Sequence, residues 1–134
     1  MLVVDDNADD LFLTRRMLAE IGLVATVTPA DSAIRAIEML GELAARFDLA
    51  FVDVRMPLMD GFDLLRWIRR HTRWCALDVV MLTSSDDARD MERARILGAN
   101  GYLLKSYVPA KFAAVLAGIV PHLAGHLLDP AAGR

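Results

Sequence analysis

Five short apolar runs, each followed by a segment whose apolar residues recur with helical spacing, constrain this chain more than any other feature. The runs are Leu2–Val4, Leu23–Val27, Asp48–Val52, Val79–Leu82 and Tyr102–Leu104. After the first, Asn7 is placed to cap a helix whose Leu13, Met17, Leu18 and Ile21 share a face, closed by Gly22. After the second, Asp31 or Ser32 opens a helix with Ile34, Ile37 and Leu40 inward. Phe62–Arg70 follows the third, burying Leu64, Leu65 and Ile68. A helix opened by Asp86 or Asp87 and stopped near Gly98 follows the fourth, and Phe112, Val115, Leu116 and Ile119 mark the last. Strands of nearly continuous apolar residues alternating with helices predict an α/β fold with a parallel sheet covered on both faces. Right-handed crossovers make it a doubly wound five-stranded parallel sheet, with expected strand order 2-1-3-4-5.

In such a sheet ligands sit outside the carboxyl ends of the strands, so the strand ends are where chemistry is sought. The first run ends in Asp5-Asp6, the third in Asp53, the fourth in Thr83 and the fifth in Lys105. Singly, each has a plain reading: a helix cap, a turn, a strand-end hydroxyl, a surface lysine. Together they do not, because packing has no need to put every polar strand end on one edge.

Three clustered carboxylates repel, and without compensation the pKa of at least one would rise sharply. A cation resolves the conflict. Oxygen ligands without His or Cys select a hard divalent ion, and so few of them suit Mg²⁺. Lys105 supplies a point charge and Thr83 a hydroxyl for phosphate oxygens. A metal, a lysine and a hydroxyl around one carboxylate make a phosphoryl-transfer site with Asp53 as the nucleophile.

The residues that carry this reading are Asp5-Asp6-Asn7, Asp53 with Met56-Pro57 and Met59-Asp60-Gly61, Thr83-Ser84, Gly98-Ala99, and Tyr102 three residues before Lys105. Taken together they resemble the response-regulator receiver domain of bacterial two-component signalling. That resemblance implies a flavodoxin-like (βα)5 fold over residues 1–120. It implies that Asp53 accepts a phosphoryl group from the phosphohistidine of a sensor histidine kinase. Asp6 would bind Mg²⁺ directly, Asp5 largely through water, and Arg55 through its backbone carbonyl. Thr83 and Lys105 would bind phosphoryl oxygens, Tyr102 would turn inward as Thr83 moves, and small Ser84 would leave the phosphoryl group room. The implied protein is a phosphoacceptor that catalyses only its own phosphorylation and dephosphorylation, not an enzyme of other substrates. The opening DNADDLFLTRRML also resembles receivers partnered with phytochrome-type kinases.

One position departs from the family pattern. Proline with a cis bond usually follows the lysine, whereas Ser106 stands here. A cis non-proline bond costs about 3–4 kcal/mol, so a trans Lys105–Ser106 peptide is expected. Two other doubly wound folds fit less well. A haloacid-dehalogenase-type phosphatase needs a second aspartate two residues after the nucleophile, where Arg55 stands, and an FMN binder needs a phosphate loop where this chain has DDNADD. A degenerate receiver used only as a binding module is disfavoured by the full set of site residues.

The remaining features mostly exclude. No apolar run approaches the ~18 residues of a membrane span, and the acidic opening lacks a signal peptide's basic region. A lone Cys75, read as a plain buried or half-buried thiol, fits a reducing cytoplasm. A net charge of −3 gives no drive toward nucleic acid, and RWIRRHTRW at residues 66–74 reads as a solvated basic face. Since no effector domain follows, output is expected through a downstream protein target or a phosphotransfer protein. Residues 121–134 look appended. There Leu123, Ala124, Leu127 and Leu128 form an apolar stripe, and His122 and His126 lie four apart, read as solvated. The stripe suggests a dimerisation arm giving a homodimer, with docking onto the kinase as the other reading.

Overall fold

The computed structural model describes residues 1–23 and 27–119. Its elements alternate in the expected way: β1 (Leu2–Val4), α1 (Ala8–Glu20), β2 (Thr28–Ala30), α2 (Ala33–Leu40), β3 (Leu49–Asp53), α3 (Gly61–Arg70), β4 (Asp78–Thr83), α4 (Ala88–Ile96), β5 (Gly101–Leu104) and α5 (Pro109–Ile119). All pairings are parallel and the order is β2-β1-β3-β4-β5, the doubly wound arrangement expected from the sequence.

Period-two alternation divides the strand residues between two cores. Leu2, Val4, Ala50, Val52, Val79 and Met81 join the buried residues of α2, α3 and α4 on one face. Val3, Leu49, Phe51, Val80, Leu82 and Leu103 meet α1 and α5 on the other, where Phe51 and Phe112 pack with centroids 5.8 Å apart. With both faces covered, the inner strands β1, β3 and β4 are apolar through their middles, which is why those runs carry no polar alternation.

Side-chain oxygens hold the helix starts. Asn7 accepts the Asp9 and Asp10 N–H groups, Ser32 that of Arg35, and Asp60 forms a reciprocal capping box with Asp63. Each satisfies backbone donors that a helix leaves unpaired.

Several expectations need correction. The second strand is Thr28–Ala30, not Leu23–Val27, of which residues 24–26 lie outside the described residues. Leu23 is taken by the end of α1: its N–H bonds the Leu18 carbonyl and that of Gly22 bonds Ala19, a Schellman closure with Gly22 at φ 88. Pairing therefore starts later, and Pro29 is tolerated because β2 is an edge strand. On α1, Leu13 is exposed and Thr14 buried in its place; on α2, Ile34 is exposed while Ala33 and Ala36 face the sheet. Helices that lie close to a sheet put small residues at the point of nearest approach, whatever the apolar average along the helix.

The arginine-rich segment is also not simply a solvated face. Arg69 donates to the carbonyls of Gly98 (2.9 Å) and Leu77 (2.7 Å) and to Asn100 Oδ1 (2.8 Å). Arg73 donates to the carbonyls of Glu42, Leu43 and Ala45 and lies over the Trp74 ring. Cys75, expected to be at least half buried, is exposed. The appended stripe and both histidines lie outside the described residues.

Candidate functional site

Because the strands are parallel, their carboxyl ends share one edge, and the register aligns them. Val4 pairs with Val52, so Asp5 and Asp53 follow on neighbouring strands, both on the α1/α5 side by alternation. Asp5 is fully buried, with Oδ1 accepting the Asn7 N–H at 3.0 Å, while Asp6 is exposed. Carboxylate oxygens of Asp5, Asp6 and Asp53 lie within 4.8 Å of one another.

Lys105 enters this cluster from the end of β5. Its backbone N–H bonds the Thr83 carbonyl at 2.7 Å, which anchors its main chain beside β4. The ammonium lies 2.7 Å from Asp5 Oδ2, 3.0 Å from Asp10 Oδ2 and 3.2 Å from Asp53 Oδ1. Burial opposes its charge, but the bonds from Asp5 and Asp10 and the field of Asp53 more than offset this and hold the lysine pKa above its ordinary value. Asp53 goes the other way. Burial first, and then the Asp5 charge, push its pKa up to about 6 against the opposing pull of Lys105.

The site therefore carries more negative charge than one lysine neutralises. A buried carboxylate that half-titrates near pH 6, two acids beside it and no soft ligand in the cluster fit a hard divalent cation such as Mg²⁺. Asp5, Asp6 and Asp53 are the side chains that would hold it, with the Arg55 carbonyl two residues beyond Asp53.

The loop after β3 is packed tightly under the cluster. The Gly61 N–H bonds the Val54 carbonyl at 3.0 Å, and a Cβ at Gly61 would overlap the Asp53 carbonyl oxygen. Only glycine lets α3 begin so close to the acid-bearing strand end.

The other expected residues lie nearby but are differently engaged. Thr83 is buried, and its hydroxyl accepts the Ser85 N–H at 3.1 Å. The half-buried Tyr102 donates its hydroxyl to the Ser85 carbonyl at 3.2 Å, so Thr83 and Tyr102 meet on the same short loop. The Arg55 guanidinium forms an ion pair with Asp90 of α4. No cis peptide bond occurs among the described residues, and Lys105–Ser106 is trans as expected.

Two participants escaped the sequence reading: Asp90, the partner of Arg55, and Asp10, the third partner of Lys105. A signal for Asp10 exists, since it falls on the buried stripe of α1 with Thr14, Met17 and Ile21, where an acid calls for a partner.

A family model described as the response regulator receiver domain matches residues 1–117. The chain is 33% identical over 107 residues to the chemotaxis protein CheY of Pseudomonas aeruginosa, covering 80% of this chain and 84% of that protein. It is 35% identical over 114 residues to the transcriptional regulatory protein GltR of the same organism, covering 85% of this chain but 46% of that protein, so it spans about half of that relative's length. Among solved structures, the bacteriophytochrome response regulator RtBRR superposes with a TM-score of 0.79 at 27% identity, over 89% of this chain and 76% of that one.

Proposed function

The chain belongs to the response regulator receiver domain family, and we propose that Asp53 is its phosphoacceptor, charged from the phosphohistidine of a sensor histidine kinase. The observation that carries this reading is the buried Asp53 carboxylate 3.2 Å from the Lys105 ammonium and flanked by Asp5 and Asp6. An Asp53 oxygen attacks phosphorus, the P–N bond breaks, and its electron pair leaves with the imidazole nitrogen. Mg²⁺, held by Asp5, Asp6, Asp53 and the Arg55 carbonyl, would supply charge neutralisation to the phosphoryl oxygens. Lys105 binds one of those oxygens and the Thr83 hydroxyl another. Thr83 then gives up the Ser85 N–H, and Tyr102 gives up the Ser85 carbonyl and turns inward. Small Ser84 leaves the entering group its space. Hydrolysis of the acyl phosphate at the same site resets the switch, so the protein's only chemistry is on itself.

The partners proposed for this cytoplasmic protein are a sensor histidine kinase and, for output, a downstream protein or a phosphotransfer protein. Similarity to a bacteriophytochrome response regulator supports a phytochrome-type kinase. Residues 1–120 form the receiver unit in this reading, and 121–134 an arm that dimerises through Leu123, Leu127 and Leu128; light-scattering mass of the chain with and without the arm tests this.

The central experiment is incubation with Mg²⁺ and a small phosphodonor followed by intact mass. A phosphoadduct is expected on the wild type and not on Asp53→Asn; an equal adduct on both removes Asp53 from the role. Mg²⁺ titration of Asp6→Ala tests the metal assignment, which is lost should that variant bind as tightly as wild type.

A further inference from the structure

An ammonium has three N–H donors and no acceptor. In this protein the Lys105 ammonium donates to the carboxylates of Asp5, at the first strand end, and Asp10 of α1, and forms an ion pair with Asp53 of β3. The three contacts differ in kind. Asp5 is fully buried and gives the shortest bond; Asp53 gives the longest and is the group that changes chemically. Asp10 lies outside the acidic triplet around Asp53, and its side chain keeps 30% of its surface exposed. It is nevertheless firmly placed, because its own N–H is bound by Asn7 Oδ1 at 3.1 Å in the first turn of α1.

A lysine has a four-carbon stem and a compact charge, so one contact does not fix where its remaining hydrogens point. Two contacts from the same side do. Asp5 and Asp10 take two of the three donors and leave the third beside Asp53, where the phosphoryl group would arrive. We propose that Asp10 is a positioning residue: with Asp5 it holds the Lys105 ammonium beside Asp53 so that its third N–H meets a phosphoryl oxygen with little movement. This rests on the reading of Asp53 as phosphoacceptor. The role is electrostatic and geometric, and Asp10 touches none of the reacting atoms.

The test is a double-mutant cycle on the rate of phosphoadduct formation, with phosphoramidate and Mg²⁺ and intact mass as readout. Asp10→Asn keeps the side-chain shape but weakens the charge-assisted bond, and should slow wild type about fivefold. In a Lys105→Ala background the same substitution should change the rate by less than about 1.5-fold, because its target is gone. Asp10→Glu, which restores a carboxylate, should recover at least half of the lost rate. Asp10→Ser completes the same cycle should Asp10→Asn melt far below wild type. Equal losses in both backgrounds, or an Asp10→Asn protein as fast as wild type or faster, overturn the proposal while leaving Asp53 as acceptor. A wild type that forms no adduct removes both readings.

Discussion

The two edges of the sheet both hold cations, but they surround them with opposite chemistry. At the amino edge, Arg69 and Arg73 bond backbone carbonyls that precede β3, β4 and β5, and the Trp74 indole donates to the Leu40 carbonyl at 2.8 Å. Those acceptors are neutral carbonyls, and the carboxylate whose charge acts on Arg69, that of Asp78, is only partly buried. At the carboxyl edge Lys105 faces three carboxylates. There the buried groups repel each other, and one of them is held half-protonated near pH 6. The first edge is at rest, and the second is stabilised by whatever brings positive charge to it. Responsiveness therefore sits where charge is left over.

The largest effect that would break this comparison is steric. Gly61→Ala forces a methyl group onto the Asp53 carbonyl, and we expect it to cost about 3–5 kcal/mol in denaturant unfolding. A loss under about 1 kcal/mol would mean that the loop after β3 is not pinned as described.

Next is Lys105→Ala. Removing the buried cation leaves Asp5, Asp10 and Asp53 facing one another, a cost of about 2–4 kcal/mol at pH 7.5 without metal. The loss should shrink toward pH 5 as Asp53 takes up a proton, and Mg²⁺ should restore part of it. Its phosphorylation should slow about tenfold, and the phosphorylation-dependent change in the Tyr102 environment should vanish. Labelled tyrosine suits the measurement, the chain having two. A retained Tyr102 shift would contradict the role given to Lys105.

Asp53→Asn should act in the stabilising direction, by about 1–2 kcal/mol at pH 7.5 without metal. The sign follows from its pKa of about 6 in the folded protein, above the usual carboxylate value. Between about pH 4 and 6 the folded state keeps a proton that the unfolded chain has released, so stability falls as pH rises through that window. The penalty is complete above it, and the gain from asparagine should be absent below about pH 4. A pH-independent difference would place its origin in packing instead of charge.

The smallest effect belongs to the other edge. Arg69→Ala strips donors from partly exposed carbonyls and should cost about 1–2 kcal/mol, equally at pH 5.5 and 7.5 and with or without Mg²⁺. A marked Mg²⁺ dependence there would erase the distinction between the edges.

The amino-acid sequence by itself determined the alternation of strands and helices, the strand order and the sheet edge on which Asp5, Asp53 and Lys105 gather. Those follow from local rules: an apolar run with no polar alternation needs cover on both faces, and parallel strands necessarily share their carboxyl ends. Asp5, Asp53 and Lys105 were legible for that reason, each being the first polar residue after an apolar run, and Asp6 follows directly on Asp5. Contacts between elements were decided only by the tertiary structure. Leu13 and Ile34 were misassigned because periodicity averages along a helix, whereas burial depends on how closely that helix approaches the sheet. The displaced second strand came from Leu23 closing α1, a competition between two local motifs that chain order alone does not rank. Asp10 and Asp90 gained their partners across 95 and 35 residues of chain. No spacing in the sequence encodes such a pair; it exists because packing sets the distance between α1 and β5, and between β3 and α4, and a side chain can bond only what that distance allows it to reach.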